Sequence, residues 1–169
     1  MASKPHILVG VGGGIAAYKA LDVVSALKKK GAVVTVLLSR NAHHFVAPLS
    51  LKVLSGRPVG QDLFEEPAEW GVGHVSLAKE ADAFVIVAAT ADLLAKLALG
   101  LADDFVSTCA LVYHPKPLLL APAMNTACAS MGVRPVRRVR HPSRSLNPPA
   151  APRSATTGTP EAESASRSR

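Results

Sequence analysis

Gly10, Val11, Gly12, Gly13 and Gly14 end an apolar run and precede a helical pattern. Glycines in such a turn let backbone N–H groups approach an anion closely, at the positive end of the helix that follows. Gly12, Gly14 and Ala17 also fit the dinucleotide pattern G-x-G-x-x-A, which calls for an acid at the end of the second strand to hold a ribose. Ser39 and Arg40 stand there instead. NAD is therefore disfavoured, NADP stays open through Arg40, and a glycine turn that binds nothing is the plain alternative. At a second strand end, Thr90, Ala91 and Asp92 offer a hydroxyl and a carboxylate where open α/β sheets bind ligands. Thr90 is equally a residue type that caps helices. His74 is a lone histidine, a type more often structural than catalytic. Its weight rises beside Pro122, Ala123, Met124 and Asn125, which follow another strand-like run.

The elements that must position these residues follow from hydrophobic spacing. Short apolar runs at His6–Val11, Val33–Leu38, Ala83–Ala88 and Leu118–Ala121 read as buried parallel strands. Ile15, Ala16, Leu21, Val24 and Leu27 recur at helical spacing, with lysines in the last turn and Gly31 as a stop. Further helices are expected over Ala91–Leu99 and Asp103–Val112, with a short amphipathic piece over His74–Ala81. Asn41–Ser55 reads as one or two helical turns interrupted at Pro48 and ended at Gly56. The stretch Arg57–Gly73, with Pro58, Gly60, Pro67, Gly71 and Gly73, carries no clear element and suits a mobile substrate loop. Strands alternating with helices imply a three-layer αβα, doubly wound parallel sheet of the flavodoxin or Rossmann type.

Composition bounds the partners. Aromatics are only 4% of the chain, so the core is expected to be Ala, Val and Leu packed between layers. The net charge of +7 is unevenly placed: residues 1–131 carry 11 basic against 10 acidic side chains, and residues 132–169 carry 8 against 2. The folded part, taken as residues 1–128, is near neutral. Residues 129–169 read as a disordered Arg/Pro/Ser-rich tail with no hydrophobic period. A nucleic-acid-binding arm is disfavoured there, because no aromatics are interleaved for base stacking. The first residues lack a secretory pattern and no apolar stretch reaches the roughly 18 residues that span a bilayer, so a cytoplasmic protein without a membrane partner is expected. Cys109 and Cys128 lie in no metal-binding spacing; Cys109 reads as a small buried apolar residue and no metal is expected.

The segments ILVGVGGGIAAYKALDVV, GHVSLAKEADAFVIVAATADLLAKLALGLADDFVST and LLLAPAMN, collinear over residues 7–125, resemble the flavin-containing cysteine decarboxylases, and most nearly the phosphopantothenoylcysteine decarboxylases of coenzyme A biosynthesis. The resemblance implies an FMN site in which Gly12, Gly13, Gly14 and Ser39 lie on the phosphate side. It places Thr90, Ala91, Asp92 and Leu93 in a second flavin-contacting loop and Ala121 beside the ring. It also implies that His74 is the active-site histidine, and that Met124 and Asn125 belong to a substrate-binding P-x-M-N motif holding the carboxylate of phosphopantothenoylcysteine. Such proteins form trimer-based homo-oligomers, so the same is expected here.

The chain departs from the family pattern at three places. Gly12 stands where the family usually has threonine, removing a hydroxyl worth about 1 kcal/mol of binding, and Ala88 stands where it usually has proline. After Asn125 the pattern stops: Cys128 replaces a methionine, and no cysteine follows to reprotonate the decarboxylated product. A reading-frame shift near Ala127 would explain the abrupt change in composition, and sequencing the locus tests it. Cofactor binding is then expected to outlast full catalysis. A flavin prenyltransferase is disfavoured by the P-A-M-N and G-H-V-S-L matches, and a non-catalytic flavin-binding subunit is the reading from another class.

Overall fold

The computed structural model describes residues 4–64, 73–113 and 116–130. A parallel sheet is built from β1 (His6–Val11), β2 (Val33–Leu38), β3 (Val59–Gly60), β4 (Ala83–Ala89) and β5 (Leu118–Pro122), in the order β3-β2-β1-β4-β5. All four pairings are parallel, with Val9 opposite both Val36 and Val85 at the centre. The chain returns to the middle of the sheet between β3 and β4, so the order reverses between β1 and β4. In sheets of this kind, ligands bind at that reversal, outside the carboxyl ends of the strands.

The strand side chains alternate between two apolar layers. Val9, Val11, Val34, Val36 and Leu38 pack with Ala17, Ala20, Val24 and Leu51, beneath α1 (Lys19–Lys29) and α2 (Pro48–Ser55). Leu8, Leu37, Phe84 and Ile86 pack on the other face with Leu77, Leu93, Phe105, Cys109 and Tyr113, from α3 (Gly73–Glu80), α4 (Ala91–Leu99) and α5 (Phe105–Tyr113). The expected three-layer fold is thus present, and Cys109 is wholly buried as anticipated. Among the described residues no helix is long and apolar enough to cross a membrane.

Several local expectations change. The first helix begins as a 3-10 turn over Ile15–Tyr18 before continuing as α1. Pro48 does not interrupt a helix; it opens α2 at its first position, where its missing N–H costs nothing. A separate 3-10 turn covers Ala42–His44. Val59–Gly60 forms a two-residue edge strand inside the stretch expected to be irregular, too short to register as a pattern. The helix expected from Asp103 starts at Phe105, because Asp104 caps it: Ser107 N donates to Asp104 Oδ1 at 2.9 Å and Asp104 N donates to Ser107 Oγ at 3.2 Å, a reciprocal capping box. A short helix, α6 (Thr126–Ser130), crosses the expected end of the domain at residue 128. Residues 65–72 of the expected loop, and the tail from 131 onward, lie outside the described residues.

One buried polar contact ties the fold to pH. His6 Nε2 lies 2.9 Å from the fully buried Thr35 Oγ1, and Arg57 Nε donates to that same oxygen at 3.0 Å. The Thr35 hydroxyl hydrogen is then directed to Nε2, which accepts it only when the imidazole is neutral. Burial, reinforced by the Arg57 cation, lowers the His6 pKa below its ordinary 6.5. The unfolded chain therefore binds this proton more tightly, so the stabilisation is complete above about pH 6.5 and is lost as pH falls toward the folded pKa. Urea midpoints are expected to drop between pH 7.5 and pH 5.5, and to drop less in His6→Gln; equal drops in both proteins would remove His6 as the cause.

Candidate functional site

At the carboxyl edge, between the ends of β1, β2 and β4, lies a cavity of about 140 Å³. Its walls include Gly13, Ser39, Thr90, Asp92 and Leu93, all expected from sequence, together with Arg40, Asn41 and Asp104. A water needs only about 10–15 Å³ by this measure, and whole ligands of nucleotide size occupy about 300 Å³ or more. The cavity therefore suits one end of such a ligand, with the rest lying along the open strand ends.

The sequence builds this cavity by ending three strands in small or polar residues. Gly12 N donates to Val87 O at 2.9 Å and Ser39 N to Val11 O at 3.0 Å, so the turns leaving β1 and β2 are pinned to their neighbours. Gly14 N then bonds Gly12 O and Ala17 N bonds Gly14 O, closing the turn into α1. Among the described residues the amides of Gly13, Ile15 and Ala16 reach no acceptor. Ser39 is only 7% exposed, yet its hydroxyl has no partner among the described residues, nor has the Asn41 carboxamide. An anion with several acceptor oxygens satisfies such a donor set.

Thr90 does both things expected of it. Its Oγ1 accepts from Leu93 N at 3.2 Å, capping α4, and its side chain lines the cavity while Cγ2 lies 3.3 Å from where a Cβ on Gly14 would stand. Ala91 opens α4 half-buried. Two residues before Thr90, Ala88 takes φ 55°, a left-handed conformation unusual for a residue with a side chain. The pairing of β4 with β5 is irregular at the same point, between Ile86 and Ala89.

The acidic wall is held by Lys96. Its Nζ lies 3.1 Å from both Asp92 Oδ2 and Asp103 Oδ1 and 3.9 Å from Asp104 Oδ2. Burial works against the ammonium, but hydrogen bonds to Asp103 and Asp92 outweigh it and raise its pKa. The Lys96 hydrogen bond in turn holds the Asp103 pKa below the ordinary carboxylate value. Arg40 Nη2 donates to Asp103 O at 3.1 Å, joining the turn after β2 to the segment before α5.

The remaining expected residues lie outside this cavity. Ala121 is exposed in β5, Met124 is half-buried and Asn125 is exposed, its Oδ1 accepting from Ala127 N at 2.9 Å to start α6. Ala123 N donates to Ala89 O at 3.0 Å, which anchors this segment beside the end of β4. His74 lies in the first turn of α3, half-buried, its carbonyl oxygen 3.6 Å from Cys109 Sγ. Because α3 leads down into β4, its first turn lies toward the carboxyl edge. Of the residues the sequence reading missed, Asp104 carried a signal in the spacing D-x-x-S, and Arg40 was weighed only for a ribose phosphate. Among the described residues no cluster of three His, Cys, Asp or Glu side chains suits a metal ion.

Residues 1–138 match the profile of the Flavoprotein family. The chain is 48% identical over 120 residues, 71% of its length, to the coenzyme A biosynthesis bifunctional protein CoaBC of Haemophilus influenzae, but spans only 30% of that relative. It is 45% identical over 121 residues to a protein of Streptococcus mutans named probable phosphopantothenoylcysteine decarboxylase, covering 71% of this chain and 68% of that one. Among solved structures, the FMN-dependent cysteine decarboxylase SpaF superposes with a TM-score of 0.67 at 29% identity, over 75% of this chain and 72% of its own. A PPC decarboxylase variant complexed with pantothenoylaminoethenethiol gives 0.66 at 29% identity, over 76% and 71%.

Proposed function

The chain belongs to the Flavoprotein family, and from that premise we propose that it binds FMN at the reversal point of its sheet and decarboxylates the cysteine of 4'-phosphopantothenoylcysteine, toward 4'-phosphopantetheine. The observation that carries this reading is the cavity lined by Gly13 and the hydroxyl-bearing Ser39, at a glycine turn in which the amides of Gly13, Ile15 and Ala16 reach no acceptor among the described residues. Those groups fit the phosphate end of FMN. Thr90, Ala91, Asp92 and Leu93 would form a second flavin-contacting loop, and Ala121 would lie beside the ring. Bound there, FMN supplies a two-electron oxidation of the substrate cysteine that lets its carboxylate leave.

The chain's own groups have distinct parts. His74 takes the thiol proton as general base. Asn125 spends Oδ1 on the Ala127 amide, which leaves its Nδ2 hydrogens to hold the substrate carboxylate beside Met124. The reading extends to a cytoplasmic, trimer-based homo-oligomer. Exposed apolar side chains at Ile15, Tyr18, Leu49 and Val53 support assembly.

Purified protein is expected to be yellow, to release FMN on denaturation, and to lose its visible absorption with release of carbon dioxide when phosphopantothenoylcysteine is added without oxygen. Bound FMN with neither response would leave a non-catalytic flavin-binding subunit. A colourless protein that FMN does not reconstitute would overturn the cofactor assignment.

A further inference from the structure

We infer that Arg40 is a ligand of the cofactor phosphate, turning from the Asp103 carbonyl to the anion when FMN binds and so setting the preference for FMN over riboflavin. This rests on the FMN reading above. The argument begins with the charge around the cavity. Asp92, Asp103 and Asp104 face Lys96 as their shared cation, and among the described residues Arg40 is the only basic side chain in the cavity wall itself. With Arg40 counted, these five side chains carry a net charge of −1; without it they carry −2. A phosphate entering against two or three carboxylates requires a further cation at close range.

Arg40 is placed and free to supply it. Its guanidinium carries five N–H donors, and among the described residues it uses one, on a neutral carbonyl oxygen. The planar fork matches two phosphate oxygens at once, which a carbonyl cannot do. Its neighbours in sequence, the buried Ser39 and the exposed Asn41, line the same cavity with unpartnered side chains. Three consecutive residues of the turn after β2 thus line one space together with Gly13. Arg40 is exposed, so its replacement is expected to leave the fold intact.

The test is titration of flavin-stripped full-length protein with FMN and, separately, riboflavin, followed by flavin fluorescence quenching. Arg40→Ala is expected to raise the FMN dissociation constant about 10- to 100-fold, the loss of one or two charge-assisted hydrogen bonds. The riboflavin constant should not move, Arg40→Lys should recover part of the loss, and added salt should weaken FMN binding less in the alanine variant. Equal losses for both flavins would mean that Arg40 only ties two loops together, and no loss for either would remove it from the site; each result overturns the inference while leaving FMN binding in place. Wild-type protein that binds neither flavin would overturn both readings together.

Discussion

Gly12→Ala is expected to cost about 2–4 kcal/mol of stability and to lower flavin affinity at least 100-fold. A Cβ built on Gly12 would stand 2.0 Å from the carbonyl oxygen of Ala88 and 2.9 Å from its carbonyl carbon. Both are backbone atoms in a strand end pinned by the Gly12 N–H to Val87 O bond, so no side-chain rotation relieves the overlap. The ends of β1 and β4 must separate, and the ligand cavity opens at that place. Ala88 is the reason the clash is so close, since φ 55° carries its carbonyl over the glycine turn. Proline is fixed near φ −65° and cannot adopt that conformation. The threonine and proline typical of the family at these two positions are therefore expected to work together: Gly12→Thr and Ala88→Pro should each destabilise alone, and the double variant should recover more than half of the summed loss. Urea unfolding of the four proteins with parallel FMN titrations measures this coupling. Additive losses would show that the two positions do not interact.

That coupling also shows where sequence reading stops. Gly12 and Ala88 are 76 positions apart, and each looks like a mild, separate departure costing at most a hydroxyl. Only the register that sets β1 against β4 brings them into contact. The strands themselves were legible because burial on both faces leaves continuous apolar runs, and the helix over Ala91–Leu99 because Thr90 and Gly100 punctuate it. Val59–Gly60 was not, since two residues cannot display a period. Pro48 was misjudged as a break because proline signals both the inside of a broken helix and the start of a sound one, and Ala47, extended at ψ 127°, decides for the second. In the site, glycine, Ser39 and Thr90 were visible as strand-end residues. Asn41 was not, and the local signals of Arg40 and Asp104 could not be joined to the same cavity, because that depends on loops that meet only after the sheet has closed.

His74→Asn is expected to lower the rate of carbon dioxide release by about 10²–10⁴, the usual contribution of a positioned general base, while the FMN dissociation constant stays within twofold of wild type. The separation of the two effects follows from where the residue lies. The cavity that suits the cofactor phosphate is walled by the turns after β1, β2 and β4 and by the start of α5, and His74 is not part of that wall. It belongs to α3, which packs on α5 with the His74 carbonyl against Cys109. Asparagine is polar, smaller than histidine and keeps the backbone contact, so the packing of α3 should survive and the melting temperature should shift little. Stopped-flow absorbance without oxygen separates the outcomes, because a variant that binds FMN normally but no longer loses colour on addition of phosphopantothenoylcysteine has lost the proton transfer and nothing else. If His74→Asn bleached as fast as wild type, the thiol proton would have to leave through another group, and the histidine would be a packing residue of α3. If it lost FMN as well, the first turn of α3 would be part of the cofactor site, and the division of labour between the glycine-turn cavity and the histidine would fail.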